Sequence, residues 1–184
     1  MKKIAKKNKK FIIIGIIIII LLIIGIAFAY FTTTLNGSKD YVIRAGSLKL
    51  DLTEENELTL ERVIPVEDSE GMSLDGFSFS LTNEGDIDTD YTIYLDDVAL
   101  NEGESRISDT ALRYSLVKNN VVGQASDLVS MGSNPNRVVD SGTISPDEKI
   151  NYTLKIWVDY DATSEVAGGR TFKGALRIEA KQAV

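Results

Sequence analysis

The hydrophobic and polar positions of this chain fall into two regimes that meet near residue 30. Residues 11–31 form a run of 21 residues without a charge. As a helix, a run of this length spans a bilayer core of about 30 Å. Beyond this run, apolar residues recur at every second position, as where Leu48, Leu50 and Leu52 alternate with polar residues. Such alternation is typical of a half-buried β-strand.

Further alternating segments follow at short spacing, separated by turn signals. They cover residues 58–60, 77–81, 91–95, 112–117, 152–158 and 172–180. Residues 83–86 and Asn119-Asn120 predict turns, and 65–76 and 132–136 predict loops. The link at 83–86 is longer than a tight hairpin, which leaves open that its two strands lie on opposite sheets. Only 105–111 has the pattern of a helical turn.

This pattern predicts an all-β fold of seven or eight strands, preceded by an N-terminal hydrophobic helix. Many short strands with turns between them favour an antiparallel β-sandwich, jelly-roll or immunoglobulin-like, with a barrel as the alternative. We divide the chain into a signal peptide or uncleaved membrane anchor (1–29), an extended segment or linker (30–41) and a β-sandwich domain (42–184).

The N-terminal segment predicts export. Six lysines precede the apolar run, and this bias keeps the N-terminus inside and carries the remainder outside. Ala27 and Ala29 form the small-x-small pattern that signal peptidase requires, which places the cut before Tyr30. The sequence leaves cleavage open. With cleavage the protein is extracellular, and without it the protein is anchored in the membrane at the cell surface.

Composition excludes several functions. After residue 30 there are 14 basic and 27 acidic residues, which argues against nucleic acid as a partner because phosphate binding needs clustered Lys and Arg. There is no cysteine and no histidine. A Ser-His-Asp triad and the common zinc sites are therefore ruled out.

The candidate cofactor is Ca²⁺, and the candidate ligands are Asp86, Asp88 and Asp90. Their alternate spacing resembles a calcium loop, but the glycine that gives an EF-hand its sharp turn is missing. An acidic, solvated turn at the start of a strand is the default interpretation. Trp157, the sole tryptophan, is expected in the core, with stacking on a sugar as the alternative.

Four pieces of the chain together resemble the TasA/camelysin-like exported proteins of Gram-positive bacteria. They are Ala29-Tyr30-Phe31-Thr32, residues 45–50, the strand pair 77–95 around Asn83-Glu84-Gly85, and residues 144–174 with Ser145-Pro146-Asp147-Glu148 and Trp157. The resemblance implies a β-sandwich, processing by a dedicated signal peptidase and, as in the best-known members, assembly into extracellular matrix fibres. Some relatives are described as metalloproteases, an activity not carried over to a chain without histidine.

Two function classes follow. The first is a non-catalytic structural or surface protein, such as a biofilm matrix fibre subunit in which residues 30–41 add as a strand to the sheet edge of the next copy. In the alternative for this segment, it is only a linker. The second class is a membrane-anchored binding module for glycans or a partner protein, which predicts exposed aromatic side chains and dependence on Ca²⁺.

Overall fold

The computed structural model describes residues 32–36, 50–54, 58–61 and 64–183. The predicted N-terminal helix and the first residues of the predicted sandwich domain lie outside this part. Among the described residues the fold is mostly antiparallel β-structure in two sheets. The all-β prediction is confirmed at this level.

Eleven strands occur in the described part of the chain. They are β1 (Thr32–Asn36), β2 (Leu50–Glu54), β3 (Leu58–Glu61), β4 (Phe77–Asn83), β5 (Thr89–Asp97), β6 (Leu112–Lys118), β7 (Val121–Val122), β8 (Ser126–Asp127), β9 (Val138–Ile144), β10 (Lys149–Val158) and β11 (Thr171–Gln182). Two short α-helices, α1 (Asp68–Gly71) and α2 (Ser164–Ala167), and two 3-10 turns (Asp109–Ala111 and Leu128–Met131) lie in the connections.

Consecutive strands lie in alternate sheets, except that β6, β7 and β8 share one sheet. One sheet has the order β1-β11-β5-β9, and β3 also pairs with β11; the other has the order β2-β4-β10-β6-β7, and β8 also pairs with β6. The strands on either side of the turn at 83–86 thus lie in different sheets, as the length of that link allowed.

The inward faces of both sheets meet in one hydrophobic core. Alternate residues of the long central strands are fully buried there: Leu81, Ile93, Leu95, Leu154, Phe172 and Ile178 are each 0% exposed. Burial of a side chain of this size contributes about 1.5–3 kcal/mol to stability. These positions were expected in the core from the alternation of apolar and polar residues, and the structure confirms them.

The described part of the chain has eleven strands where seven or eight were expected, and it also has two short helices that were not expected. Strand β9 was not predicted, because its sequence, VVDSGTI, mixes polar and small residues at an exposed sheet edge. Helix α1 lies inside the loop predicted at 65–76, and α2 was also missed. Helix α1 has a structural role: Trp157 is 2% exposed, and an added Cβ on Gly71 would lie 2.3 Å from its ring. Trp157 is therefore buried under α1 on the outer face of the sheet.

Candidate functional site

The candidate site is one edge of the five-stranded sheet, where the segment that follows the apolar run forms strand β1. β1 is antiparallel to β11, in a register that places Thr32 opposite Lys181 and Asn36 opposite Arg177. On its other side β11 pairs with β5 over residues 174–182. β1 therefore satisfies backbone groups that would otherwise make β11 an open edge.

Strand β3 continues the line of β1 along the same edge. It pairs with residues 171–174 of β11, whereas β1 pairs with residues 177–181. Between β1 and β3 the chain crosses to the other sheet and forms its edge strand β2. Strands β1 and β3 thus cover an edge of one sheet, and β2 covers an edge of the other.

Charged side chains on the outer face fix the β11 strand beside β1. Arg177 donates to Asp96 Oδ2 at 2.8 Å, contacts Glu179, and lies 4.2 Å from the centre of the Tyr94 ring. The hydrogen bond to Asp96 is the main reason that the pKa of Arg177 is raised. Asp96 and Tyr94 belong to β5, so Arg177 joins β11 to the neighbouring strand of its own sheet.

A second polar cluster joins the two sheets at the β9 side. Asp140 Oδ2 accepts hydrogen bonds from Tyr152 Oη at 2.7 Å, Lys118 Nζ at 2.8 Å and Tyr91 Oη at 3.0 Å. The two tyrosine hydroxyls are also 2.8 Å apart. Tyr91 and Asp140 belong to the five-stranded sheet, and Lys118 and Tyr152 to the six-stranded one, so one carboxylate connects four strands across the core.

The protonation states of this cluster follow from its contacts. Burial alone would raise the pKa of Asp140, but hydrogen bonds from Lys118 and Tyr152 outweigh it and lower the pKa. Burial disfavours the charged form of Lys118, yet the bond to Asp140 raises its pKa. Burial and the bond to Tyr91 raise the pKa of Tyr152 well above its usual range. Asp140 thus stays ionised with three donors on Oδ2, which suits bracing rather than proton transfer.

A third cluster lies directly before β9. Arg137 is 1% exposed and donates to Asp97 at 2.7 Å and to Asp109 at 2.6 Å. Arg106 bonds the same two carboxylates and lies 5.1 Å from the Phe172 ring centre. Burial works against the charge of Arg137, but the two carboxylates raise its pKa. Two cations and two anions therefore neutralise each other where β9 begins.

The candidate calcium ligands are placed at the start of β5 and do not converge. Asp86 and Asp88 are exposed to solvent, and Asp90 Oδ1 accepts a hydrogen bond from Thr143 at 2.7 Å. Across the described ranges no group of three or more acidic residues is arranged to hold a metal ion. The signal cleavage residues Ala27, Ala29 and Tyr30 lie outside the described residues.

Aromatic side chains of the described region are mostly inside. Phe77, Phe79, Tyr91, Tyr152, Trp157 and Phe172 are buried. Tyr160, 61% exposed, is the large exception. In the described part of the molecule no sheet face or loop rim carries the flat aromatic cluster that a glycan-binding module would use.

Comparisons with known proteins add no assignment. No protein-family model matches the chain, and no curated protein is detectably similar to it. None of the helices within the described ranges has the length and apolar character needed to cross a membrane, and the apolar run at 11–31 is not part of those ranges.

Sequence reasoning missed the polar clusters that join the sheets. Tyr91 and Tyr152 were recognised only as strand positions, and Asp140 lies in a strand that was not predicted. The available signal was the presence of tyrosine, rather than phenylalanine or leucine, at inward positions, since a buried hydroxyl usually finds a partner.

Proposed function

We propose that this chain is an exported, non-catalytic structural protein that assembles outside the cell by strand addition. The supporting observation is β1: the segment directly after the export signal is a strand that completes the edge of β11. In a polymer, β1 of each copy would occupy the same edge of the next copy. We propose further that the two sheets form a jelly-roll or immunoglobulin-like sandwich, which agrees with the crossing of the chain between the sheets.

Exchange of β1 between copies costs little contact energy. The same five residue pairs form in either arrangement, as in other domain-swapped proteins. Residues 37–49, which connect β1 to β2, number 13 and extend at most about 43–47 Å. A domain of this size has a radius of gyration of about 15 Å, so β1 can reach an adjacent copy.

Cleavage before Tyr30 frees β1 from the membrane and permits long fibres, whereas an uncleaved anchor limits exchange to neighbours in the membrane. The alternative function is a membrane-anchored surface module that binds glycans or a partner protein. Among the described residues exposed aromatic rings are scarce and no acidic cluster is arranged to hold a metal ion, which supports assembly over Ca²⁺-dependent glycan binding.

A cysteine pair tests the exchange, since the native chain has no cysteine. Thr34 and Glu179 are opposite each other in the β1–β11 register, within the range of Cα separations that a disulfide bridges. The variant Thr34→Cys/Glu179→Cys is kept reduced during growth, recovered from medium and membrane fractions, oxidised and run on a non-reducing gel.

We expect a ladder of covalent oligomers from assembled material, because exchanged strands place the two cysteines on different chains. The matched control is Thr92→Cys/Glu179→Cys, which joins β5 to β11 at the same position of β11 and should give monomers throughout. Monomers with an internal disulfide from both variants in every fraction would overturn the proposal.

A further inference from the structure

Residues 65–76, which include helix α1 and lead into strand β4, form a cover on the outer face of the six-stranded sheet. Among these residues, all of which the structure describes, only Gly71 is buried, and glycine has no side chain to add to a core. Segments with few buried apolar contacts open at a smaller cost in free energy than the strands of a core. The cover is therefore held on the sheet mainly by polar contacts.

These polar contacts join the cover to strands β6 and β10. They are Val66 N to Val158 O at 3.1 Å, Arg113 to the two carboxylate oxygens of Asp68 at 2.8 and 2.6 Å, and Lys155 Nζ to Met72 O at 2.7 Å. The side chain of Asp68 is 43% exposed, so water screens its ion pair. By contrast, bonds such as Met72 N to Asp68 O at 2.9 Å lie within the cover and persist when it moves as a unit.

The side chain beneath the cover is Trp157, which lies outside the core between the sheets. Trp157 is 2% exposed but does not belong to the core cluster; instead Gly71 packs against its ring. The indole Nε1 is buried, and no group among the described residues accepts its hydrogen. A buried donor without an acceptor costs free energy. The closed position of the cover thus carries an unfavourable contribution that contact with water removes.

A groove of about 770 Å³ continues along the same sheet face, next to the cover. Leu74 and Asp75 of the cover line it together with Thr153 and Lys155 of β10. Thr153, Lys155 and Trp157 occupy alternate positions of β10 and share one face of the sheet. The ring of Trp157 therefore follows directly after Lys155, and the cover separates it from the groove.

We infer that the cover is a conformational device, which opens and closes as a unit while both sheets stay folded. Opening brings the indole N–H of Trp157 into water and extends the groove to the aromatic ring. Closing returns Asp68 to Arg113 and the Met72 carbonyl oxygen to Lys155. The device is independent of β1 exchange, since β1 belongs to the other sheet.

Hydrogen exchange of the full chain in detergent micelles, followed by NMR, tests this inference. Trp157 is the sole tryptophan, so its indole N–H gives one signal. The reference is the backbone amide of Leu154, a β10 residue that is 0% exposed and exchanges only when the sheet unfolds. We expect the indole N–H to exchange with a protection factor at least about 100-fold smaller than that of Leu154. Equal protection of the two groups would show that the cover opens only with the sheet, and would overturn the inference.

Loosening the cover should act on the indole N–H alone. Asp68→Asn removes the carboxylate charge that Arg113 holds, and we expect indole exchange to become about tenfold faster while exchange of Leu154 stays unchanged. The matched control is Ser69→Ala, at an exposed position of the same helix, which should alter neither rate. An equal acceleration of both groups by Asp68→Asn, or no acceleration of the indole N–H, would contradict opening as a unit.

Locking the cover should have the opposite effect. Val66 and Asp159 are bridge partners between the cover and the end of β10, at a separation that a disulfide spans. In Val66→Cys/Asp159→Cys we expect oxidation to slow indole exchange about tenfold and reduction to restore it. Indole exchange that is the same in the oxidised and reduced protein would count against the device.

Discussion

Replacing Asp140 by alanine removes a carboxylate that connects the two sheets. Tyr91 and Tyr152 are 3% and 2% exposed, so their hydroxyls have no water to replace the lost acceptor. They still bond each other, which leaves one buried hydroxyl hydrogen without a partner. Lys118, with 41% of its side chain exposed, can turn to solvent. A hydrogen bond to a charged group contributes about 1.5–3 kcal/mol, and we expect a total loss of about 3 kcal/mol.

Thermal unfolding followed by circular dichroism measures this loss. For a domain of this size each kcal/mol shifts Tm by about 2–4 °C, so Asp140→Ala should melt about 6–12 °C below the wild type. The matched control is Asp90→Ala, which loses a more exposed bond to Thr143 and should cost at most about 1 kcal/mol. Equal shifts for the two variants would refute the bracing role of Asp140.

The pH dependence gives an independent check on the same cluster. Because the folded state lowers the pKa of Asp140, its contribution is present above the unfolded pKa and lost as pH falls through the folded pKa. The gap between wild type and Asp140→Ala should therefore shrink below about pH 4. The raised pKa values of Lys118 and Tyr152 contribute stability below about pH 10 that is lost at higher pH. A gap that stays constant in acid would contradict this assignment.

Two further substitutions test other parts of the fold. Gly71→Ala places a Cβ 2.3 Å from the Trp157 ring. We expect α1 to move away from the sheet, with a decrease of about 1–3 kcal/mol in the free energy of unfolding and a red shift of tryptophan fluorescence. The control Ser69→Ala, at an exposed position, should leave the emission unchanged. Arg137→Met breaks a buried ion cluster and should lower the free energy of unfolding, measured in urea, by about 3 kcal/mol. Arg137→Lys should not restore this stability, since the lysine point charge cannot bond both carboxylates as the guanidinium does. Wild-type stability in Arg137→Lys would disprove the role of the guanidinium geometry.

Several parts of this architecture could be predicted from the sequence because they depend on local pattern. The long strands β4, β5, β6, β10 and β11 carry apolar residues at alternate positions, and β5 shows this alternation directly in its burial. The turn at Asn119-Asn120 has the positive φ that asparagine tolerates. Strand β9 was not predicted because most of its residues are exposed and the charged Asp140 points toward the other sheet, so its sequence shows no alternation of apolar and polar residues. Helices α1 and α2, of four residues each, are too short to carry a periodic signal.

Residue order alone accounts for the apolar segment that predicts export, the acidic and histidine-free composition, and the alternation of apolar and polar residues that produces the buried sheet faces. These properties are local or additive along the chain. Other features arise only in the folded arrangement: β1 lies on β11, Asp140 connects Tyr91, Tyr152 and Lys118, and Val121 and Val122 are exposed to water. Each of these depends on pairing between residues far apart in sequence, and strand alternation specifies which face a residue occupies but not which strand becomes its neighbour.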